Sequence, residues 1–404
     1  MSHGQVAAAL AAGLGGPAAA ALAEFAQTCQ RDYELDRWLA NGRSRAPVAV
    51  VLESDHRTGS ARRLVLKVTT AAQAEVLRQH QARAQAPAEF ADAHLARYAH
   101  EPQRVGDGTW LSFQDVAGDD IESVEVLTVL FNAMLDGSAG EARCDPATFA
   151  GVCGAVIGGI LNGWTGRPRL APERYTVARF LHSHVLDQLA PGGRLLALSA
   201  RYDRDTIEVP GEPGPLPNPF ALARGTYQGA TPVIPALTGR THGDAHGDNI
   251  LVRVLPEIDG TDFQLVDLAL YQPDGPVTRD PVHLVLYLLA RRLEVVSPAQ
   301  QSALITVLLD PQRADGKLLP GWLADLIHAV DGACLAWLKG SGLQPEYRRQ
   351  RLLSIAGCAL LFLGRTSTRP EDHGWFLRLS ARAAAAFLSA TLDATARIPH
   401  EGGS

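Results

Sequence analysis

Lysine is nearly missing from this chain: three occur among 404 residues, at 67, 317 and 339, and arginine supplies the rest of the 37 basic positions. A surplus of positive charge is missing too. With a net charge of -6, the chain lacks the basic patches that neutralise a nucleic-acid backbone, so no nucleic-acid partner is expected. The five cysteines, at 29, 144, 153, 334 and 358, are odd in number and lack close metal-type spacing, which fits free thiols in a reducing compartment. Residues 1–16 are alanine-rich but have no positive n-region, and Gly and Pro interrupt the apolar core that a signal peptide needs; export is not expected. Long apolar runs are scarce. The nearest to a membrane span is Phe149 to Gly166, eighteen residues with Gly154, Gly158, Gly159 and Gly163 at spacings for close helix contact, and it reads as a buried helix. No membrane partner is expected, and the expected location is cytoplasmic. No internal repeat is visible. What is there, 46% hydrophobic and 20% charged, is enough to bury a large core in two or three structural units.

The order of elements changes along the chain. A helix is expected over 17–31, and alternating apolar residues at Pro47 to Glu53 and Arg63 to Val68, joined by a polar stretch with Gly59, predict a hairpin. Residues 71–85 are strong helix formers without Gly or Pro, and a strand follows at Thr109 to Phe113 before Ala117-Gly118-Asp119-Asp120 breaks the pattern. From 122 the chain reads as helical, over 122–135, 146–163 and 174–189, with five further segments after 281. Residues 208–238 carry seven prolines and four glycines and read as a long surface excursion of lower order. Two strands then follow, Ile250 to Val254 and Phe263 to Val266, around a turn at Asp259-Gly260. The expected organisation is a helical extension at 1–34, a strand-rich unit at 35–116 and a mainly helical unit at 117–398.

Chemistry concentrates at four positions. Lys67 lies inside an apolar strand, Leu64-Val65-Leu66-Lys67-Val68, in a chain that uses arginine for generic positive charge. A compact ammonium fits a confined phosphate site, where a planar guanidinium needs more room and a matching fork of acceptors. Asp244 and Asn249 lie five positions apart ahead of a strand, and Asp267 lies eighteen further on, after the strand that pairs back. Phosphoryl transfer needs a carboxylate at the attacking hydroxyl, oxygen ligands for Mg²⁺ and a cation on the phosphates that stay behind. Asp244 suits the first role, Asn249 and Asp267 the second, and Lys67 the third.

The segment His242-Gly243-Asp244-x-x-x-x-Asn249, followed by a strand ending in Asp267, resembles the aminoglycoside phosphotransferase and choline-kinase-like branch of the protein-kinase superfamily. His246 and the run Asn249-Ile250-Leu251-Val252 match it as well, and the resemblance extends over about 35–300. It implies an α+β, two-lobed, protein-kinase-like fold, with ATP (GTP left open) and Mg²⁺ as cofactors and a small-molecule or peptide hydroxyl as acceptor. Asn41 to Val48 resembles the family's nucleotide loop, with Gly42 and Ser44 near phosphate; an ordinary turn before a strand is the competing explanation. Glu75, with Glu89 as runner-up, would pair with Lys67, or either would be a solvated helix residue. Gln114, Asp115 and Val116 would present backbone to adenine. His242 and His246 would be supporting residues, and Asp280-Pro281 either caps the following helix or anchors the catalytic loop.

Departures from the pattern bear on the acceptor. Leu268 and Ala269 stand where Phe-Gly is usual, thirteen positions separate Asp267 from Asp280, and Gly243 replaces an arginine, so no control by an activation loop is expected. After residue 340, Arg348, Arg349, Arg351, Arg365, Arg369, Arg378, Arg382 and Arg397 outnumber Glu346, Glu371, Asp372, Asp393 and Glu401, which argues against a strongly cationic acceptor. Two other readings stay open: a metal-dependent hydrolase built on His242, Asp244, His246 and Asp248, and a kinase-shaped binding scaffold without activity. The oligomeric state has no signature in the residues.

Overall fold

A computed structural model describes residues 4–38, 47–69, 72–106, 108–115, 123–137, 144–228, 233–312 and 317–396. Helices and antiparallel sheet are both present, in an α+β arrangement. The chain clusters into two compact units: Met1–Val129 with Asp248–Tyr271, and Leu130–Gly247 with Gln272–Ser404.

In the first unit, α1 (Ala8–Leu14) and α2 (Gly16–Cys29) lead into β1 (Arg31–Trp38), β2 (Val48–Asp55), β3 (Ser60–Thr69), α3 (Ala72–Gln85), α4 (Ala88–His94), β4 (Arg97–Gly106) and β5 (Thr109–Asp115). The five strands pair antiparallel in the order β1-β2-β3-β5-β4. Strand alternation sends side chains to two faces. Ala49, Val51, Leu64 and Leu66 pack with Leu10, Leu14 and Leu22 of the leading helices, while Val50 and Val65 pack with Val124 and Leu251. Each fully buried leucine here contributes about 1.5–3 kcal/mol. The strands β1 and β4 were not expected from the sequence. Both are edge strands, and their runs Arg-Asp-Tyr-Glu-Leu-Asp-Arg-Trp and Arg-Tyr-Ala-His-Glu-Pro-Gln-Arg-Val-Gly are charged, as edges that resist further pairing tend to be. The strand β1 crosses residue 34, so the leading helices join the sheet directly.

A second sheet in this unit has Ile250–Arg253 as its middle strand, between Asp259–Leu265 and β6 (Val124–Val126). Asp259 pairs with Arg253, so the hairpin turn runs through Val254 to Ile258 and not through Asp259-Gly260 as the glycine had led one to expect.

The second unit contains the remaining helices: α6 (Pro146–Gly159), α7 (Val177–Val185), α8 (Arg194–Ser199), α9 (Pro219–Arg224), α10 (Arg279–Arg292), α11 (Pro298–Leu309), α12 (Gly321–Trp337), α13 (Gln344–Gly364) and α14 (His373–Ala396). The short α5 (Leu127–Asp136) holds the boundary between units. By length and composition the run Pro146–Thr165 could cross a membrane, yet half of it is buried inside the protein. A Cβ on Gly154 would meet the Ala329 carbonyl oxygen at 3.2 Å, which is how closely α6 lies on α12.

The stretch at 208–238 corrects an expectation. Asn218 is fully buried and caps α9, its side-chain oxygen accepting from Phe220 N at 2.9 Å while its amide donates to the Tyr202 and Arg204 carbonyls. Pro219 opens the helix, Gly225 closes it at φ +71°, and Pro219 to Ala223 are buried. Proline and glycine here mark the two ends of a core helix, a use of the same residues opposite to a loop.

Candidate active site

In the first unit, β3 carries Lys67 with its side chain largely buried. Its Nζ lies 3.0 Å from Glu75 Oε1 and 3.0 Å from Asp267 Oδ2. Glu75 sits in the first turn of α3, buried, and its other oxygen accepts from Thr69 Oγ1 at 2.9 Å. Of the two glutamates left open by the sequence, Glu75 makes the pair; Glu89 is exposed in the first turn of α4. Burial acts to lower the lysine pKa, but the Asp267 and Glu75 carboxylates outweigh it and hold the ammonium above its ordinary value.

Asn249 and Asp267 occupy one end of the 250–265 hairpin. Ile250 pairs with Leu265, and the Val266 N–H donates to the Asn249 carbonyl at 3.1 Å, so the antiparallel register sets Asn249 opposite Val266, the residue next to Asp267. Asp267 has left-handed backbone, φ +58° and ψ +58°, which costs a residue other than glycine about 1–2 kcal/mol. That strain turns its carboxylate toward Lys67. Carboxamide and carboxylate are hard oxygen donors, and two of them suit Mg²⁺, which prefers few protein ligands and completes its shell with water and phosphate oxygens. Beside them, Val50, Val65, Val124 and Leu251 form an apolar cluster, with the partly buried Val48, Val126 and Val266 against it. Gln114 lies within β5, buried, its side chain donating to Gln79 Oε1 at 3.1 Å and so tied to α3. Gly42, Ser44 and Val116 lie outside the described residues.

In the second unit, the strand Thr238–Thr241 pairs with Gln272–Pro276 and delivers the chain to His242-Gly243-Asp244. Gly243, at φ +78°, makes the sharp turn that a side chain would resist. The two oxygens of Asp280 accept the backbone N–H groups of His242 and Gly243 at 2.7 and 2.9 Å. Asp280 does not cap the helix: α10 begins at Arg279 after Thr278, which leaves the Asp280 carboxylate inside the first turn and facing the loop. Complete burial raises its pKa, against the opposing pull of His242 and the two N–H donors. His242 Nδ1 accepts from Asp244 N at 3.2 Å, so the ring braces the loop backbone.

Asp244 is surrounded by the side-chain nitrogens of one arginine and two histidines. Its Oδ1 lies 3.2 Å from Arg365 Nη2 and 3.4 Å from His283 Nε2, and its Oδ2 lies 3.5 Å from His246 Nε2. His246 stacks on Tyr287 at 4.4 Å, His283 meets Phe362 edge-on at 5.3 Å, and the Arg365 guanidinium lies 4.5 Å over the Phe362 ring. Sequence reading missed His283 and Arg365. Neither belongs to the loop motif, and Arg365, 121 positions from Asp244, carried no signal beyond being one arginine among many. Among the described residues no group of three or more His, Cys, Asp or Glu is gathered as metal ligands, so His242, Asp244, His246 and Asp248 do not form the strip a hydrolase would need.

The arginine surplus after residue 340 also changes meaning. Arg349 pairs with Glu346, Arg351 with Asp331, Arg369 with Asp372, and Arg378 and Arg382 share Glu212. Much of that charge is therefore neutralised away from Asp244. No family model matches the chain, and no curated protein matches it. Among solved structures it is similar to one from Ralstonia eutropha described as a candidate aminoglycoside phosphotransferase, at 14% identity over 89% of this chain and 93% of that one, with a TM-score of 0.39.

Proposed function

We propose that this protein is a phosphotransferase that moves the γ-phosphoryl group of ATP to a hydroxyl of a small molecule. The observation that carries the reading is the Lys67 ammonium held between Glu75 and Asp267, 3.0 Å from each. A structural ion pair needs one carboxylate. A lysine pinned by one buried glutamate and touching a second, strained, more exposed aspartate is instead poised between a support and a ligand site.

In this reading Lys67 binds the α- and β-phosphates, and Glu75 sets its position. Asn249 and Asp267 would hold Mg²⁺, which when bound neutralises charge on the phosphates. The valine and leucine cluster beside them offers an apolar surface to a purine, with residues 114–116 reading its edge and ATP or GTP as candidates. Asp244 orients the acceptor. As the acceptor oxygen bonds to the γ-phosphorus, the bond from that phosphorus to the β,γ-bridging oxygen breaks, ADP leaves, and the hydroxyl proton passes to the Asp244 carboxylate. Asp280 keeps the loop in shape through its two backbone bonds. A kinase-like two-lobed fold and a cytoplasmic setting belong to the same proposal, and the free cysteines at 29, 144, 153, 334 and 358 are in keeping with the latter.

The test is an acceptor screen with ATP and Mg²⁺, read by mass for a product heavier by one phosphoryl group. Asp244→Asn should lower transfer by about 10²–10⁴-fold while ATP binding survives, since a positioned base contributes about that much. Lys67→Met should weaken nucleotide binding as well as rate. Unchanged transfer in both variants would overturn the reading.

A further inference from the structure

Arg365 immediately follows α13 and is 6% exposed. An arginine at a helix end ordinarily turns back to the last carbonyls. This one reaches Asp244 Oδ1 through Nη2, at 3.2 Å, and packs its guanidinium over Phe362. Its Nε and Nη1 are buried without a hydrogen-bond partner among the described residues. In the same turn Thr368, 3% exposed, donates its backbone N–H to the Arg365 carbonyl, and its hydroxyl likewise lacks a partner among the described residues. Arg349, Arg351, Arg369, Arg378 and Arg382 in this region spend their charge on glutamates and aspartates outside the Asp244 cluster.

Burying donors with nothing to receive them is unfavourable, so the arrangement favours a further acceptor at this guanidinium. A guanidinium presents a planar fork of donors that fits two oxygens of one carboxylate or phosphate. The location selects which molecule brings it: an acceptor whose hydroxyl rests on Asp244 is brought beside the guanidinium that touches the same carboxylate. We infer that Arg365 recognises an anionic group, a carboxylate or a phosphate, on the phosphate acceptor. The inference rests on Asp244 being the residue that receives the acceptor hydroxyl.

Three probes with one carbon skeleton test it on the full chain: glycerol, D-glycerate and glycerol 3-phosphate, each measured by calorimetric binding and by transfer from ATP with Mg²⁺. At least one anion should bind about tenfold or more tighter than glycerol, and Arg365→Gln should erase most of that preference. A gain confined to glycerate identifies a hydroxy acid, and one confined to glycerol 3-phosphate identifies a phosphomonoester. Arg365→Lys keeps the charge without the fork and should retain only part of the preference; it carries the test if melting curves show that the glutamine variant does not fold. Equal binding of all three probes, or anion binding unaffected in the folded variants, would sink the inference. Arg365-dependent anion binding without transfer to any acceptor would instead leave the anion site standing and sink the phosphotransferase reading. Transfer to neutral acceptors alone, indifferent to Arg365→Gln, would do the reverse.

Discussion

Single side chains decide both chemistry and acid stability here. Glu75 binds Lys67 Nζ with one oxygen and Thr69 Oγ1 with the other, so Glu75→Ala strips two buried groups of a partner. Loss of one partner from a buried pair costs up to about 3–5 kcal/mol, and Asp267 remains to soften it; we expect a loss near the lower end, read by urea unfolding, with a raised KM for ATP. Equal stability of parent and variant would show that the pair is ornamental to folding. Glu53, far from these residues in the sheet, makes a separate prediction. It is buried in β2 and accepts from Tyr33 Oη at 2.6 Å and Arg62 Nε at 2.9 Å, with His100 in contact. Burial pushes its carboxyl up, but the bonds from His100 and Tyr33 win and hold it down at about 2, from an ordinary 4.5. A depressed carboxyl stabilises the fold fully above pH 4.5, and that contribution drains away as pH falls through 2. The shift corresponds to about 3 kcal/mol. Glu53→Gln should be less stable at neutral pH and show a flatter loss of stability under acid; parallel acid profiles would refute this.

Helices in the second unit are set by contacts that local pattern does not reveal. A Cβ on Gly357 would lie 2.7 Å from His184 Cβ, so α13 touches α7 at that glycine. In an exposed helix Gly→Ala gains up to about 1 kcal/mol. Gly357→Ala should reverse that sign and destabilise by about 1–3 kcal/mol, because the core must open to admit the methyl. A stabilised variant would mean that the helices part freely. For α9, Asn218→Ala removes the cap and strands the Tyr202 and Arg204 carbonyls; the expected loss is about 2–4 kcal/mol by denaturant titration. An insensitive midpoint would restore the view of 208–238 as a loose excursion. Prolines and glycines were visible in the sequence, but whether they frame a helix or prevent one depends on what Phe220 and Leu222 find to pack against.

Across the whole chain, Lys67, Glu75, Asn249 and Asp267 all fall in the unit formed by Met1–Val129 and Asp248–Tyr271. Adding ATP with Mg²⁺ should therefore slow hydrogen exchange chiefly in peptides from 48–69 and 250–271. At a hundred times the dissociation constant, bound nucleotide stabilises by about 2.7 kcal/mol, and Asp267→Ala should forfeit most of that. Protection spread evenly over the chain, or confined to 279–396, would contradict the nucleotide assignment.

The residues alone were enough to locate the β2-β3 hairpin, the helix expected at 71–85 and the five helical segments expected after 281, and to single out positions 67, 244, 249 and 267 as candidates for chemistry. Each rests on near-neighbour information: alternation in strands, propensity in helices, and short spacings around one loop. The choice of Glu75 over Glu89, the strands β1 and β4, the core helix at 219–224 and the ring of Arg365, His246 and His283 about Asp244 came from packing. An edge strand looks polar because solvent takes one side of it, and an arginine 121 positions away becomes Asp244's partner only when the C-terminal helices have closed around that carboxylate. Local rules cannot see such meetings, because the free energy that selects them belongs to surfaces that do not exist until the chain has folded.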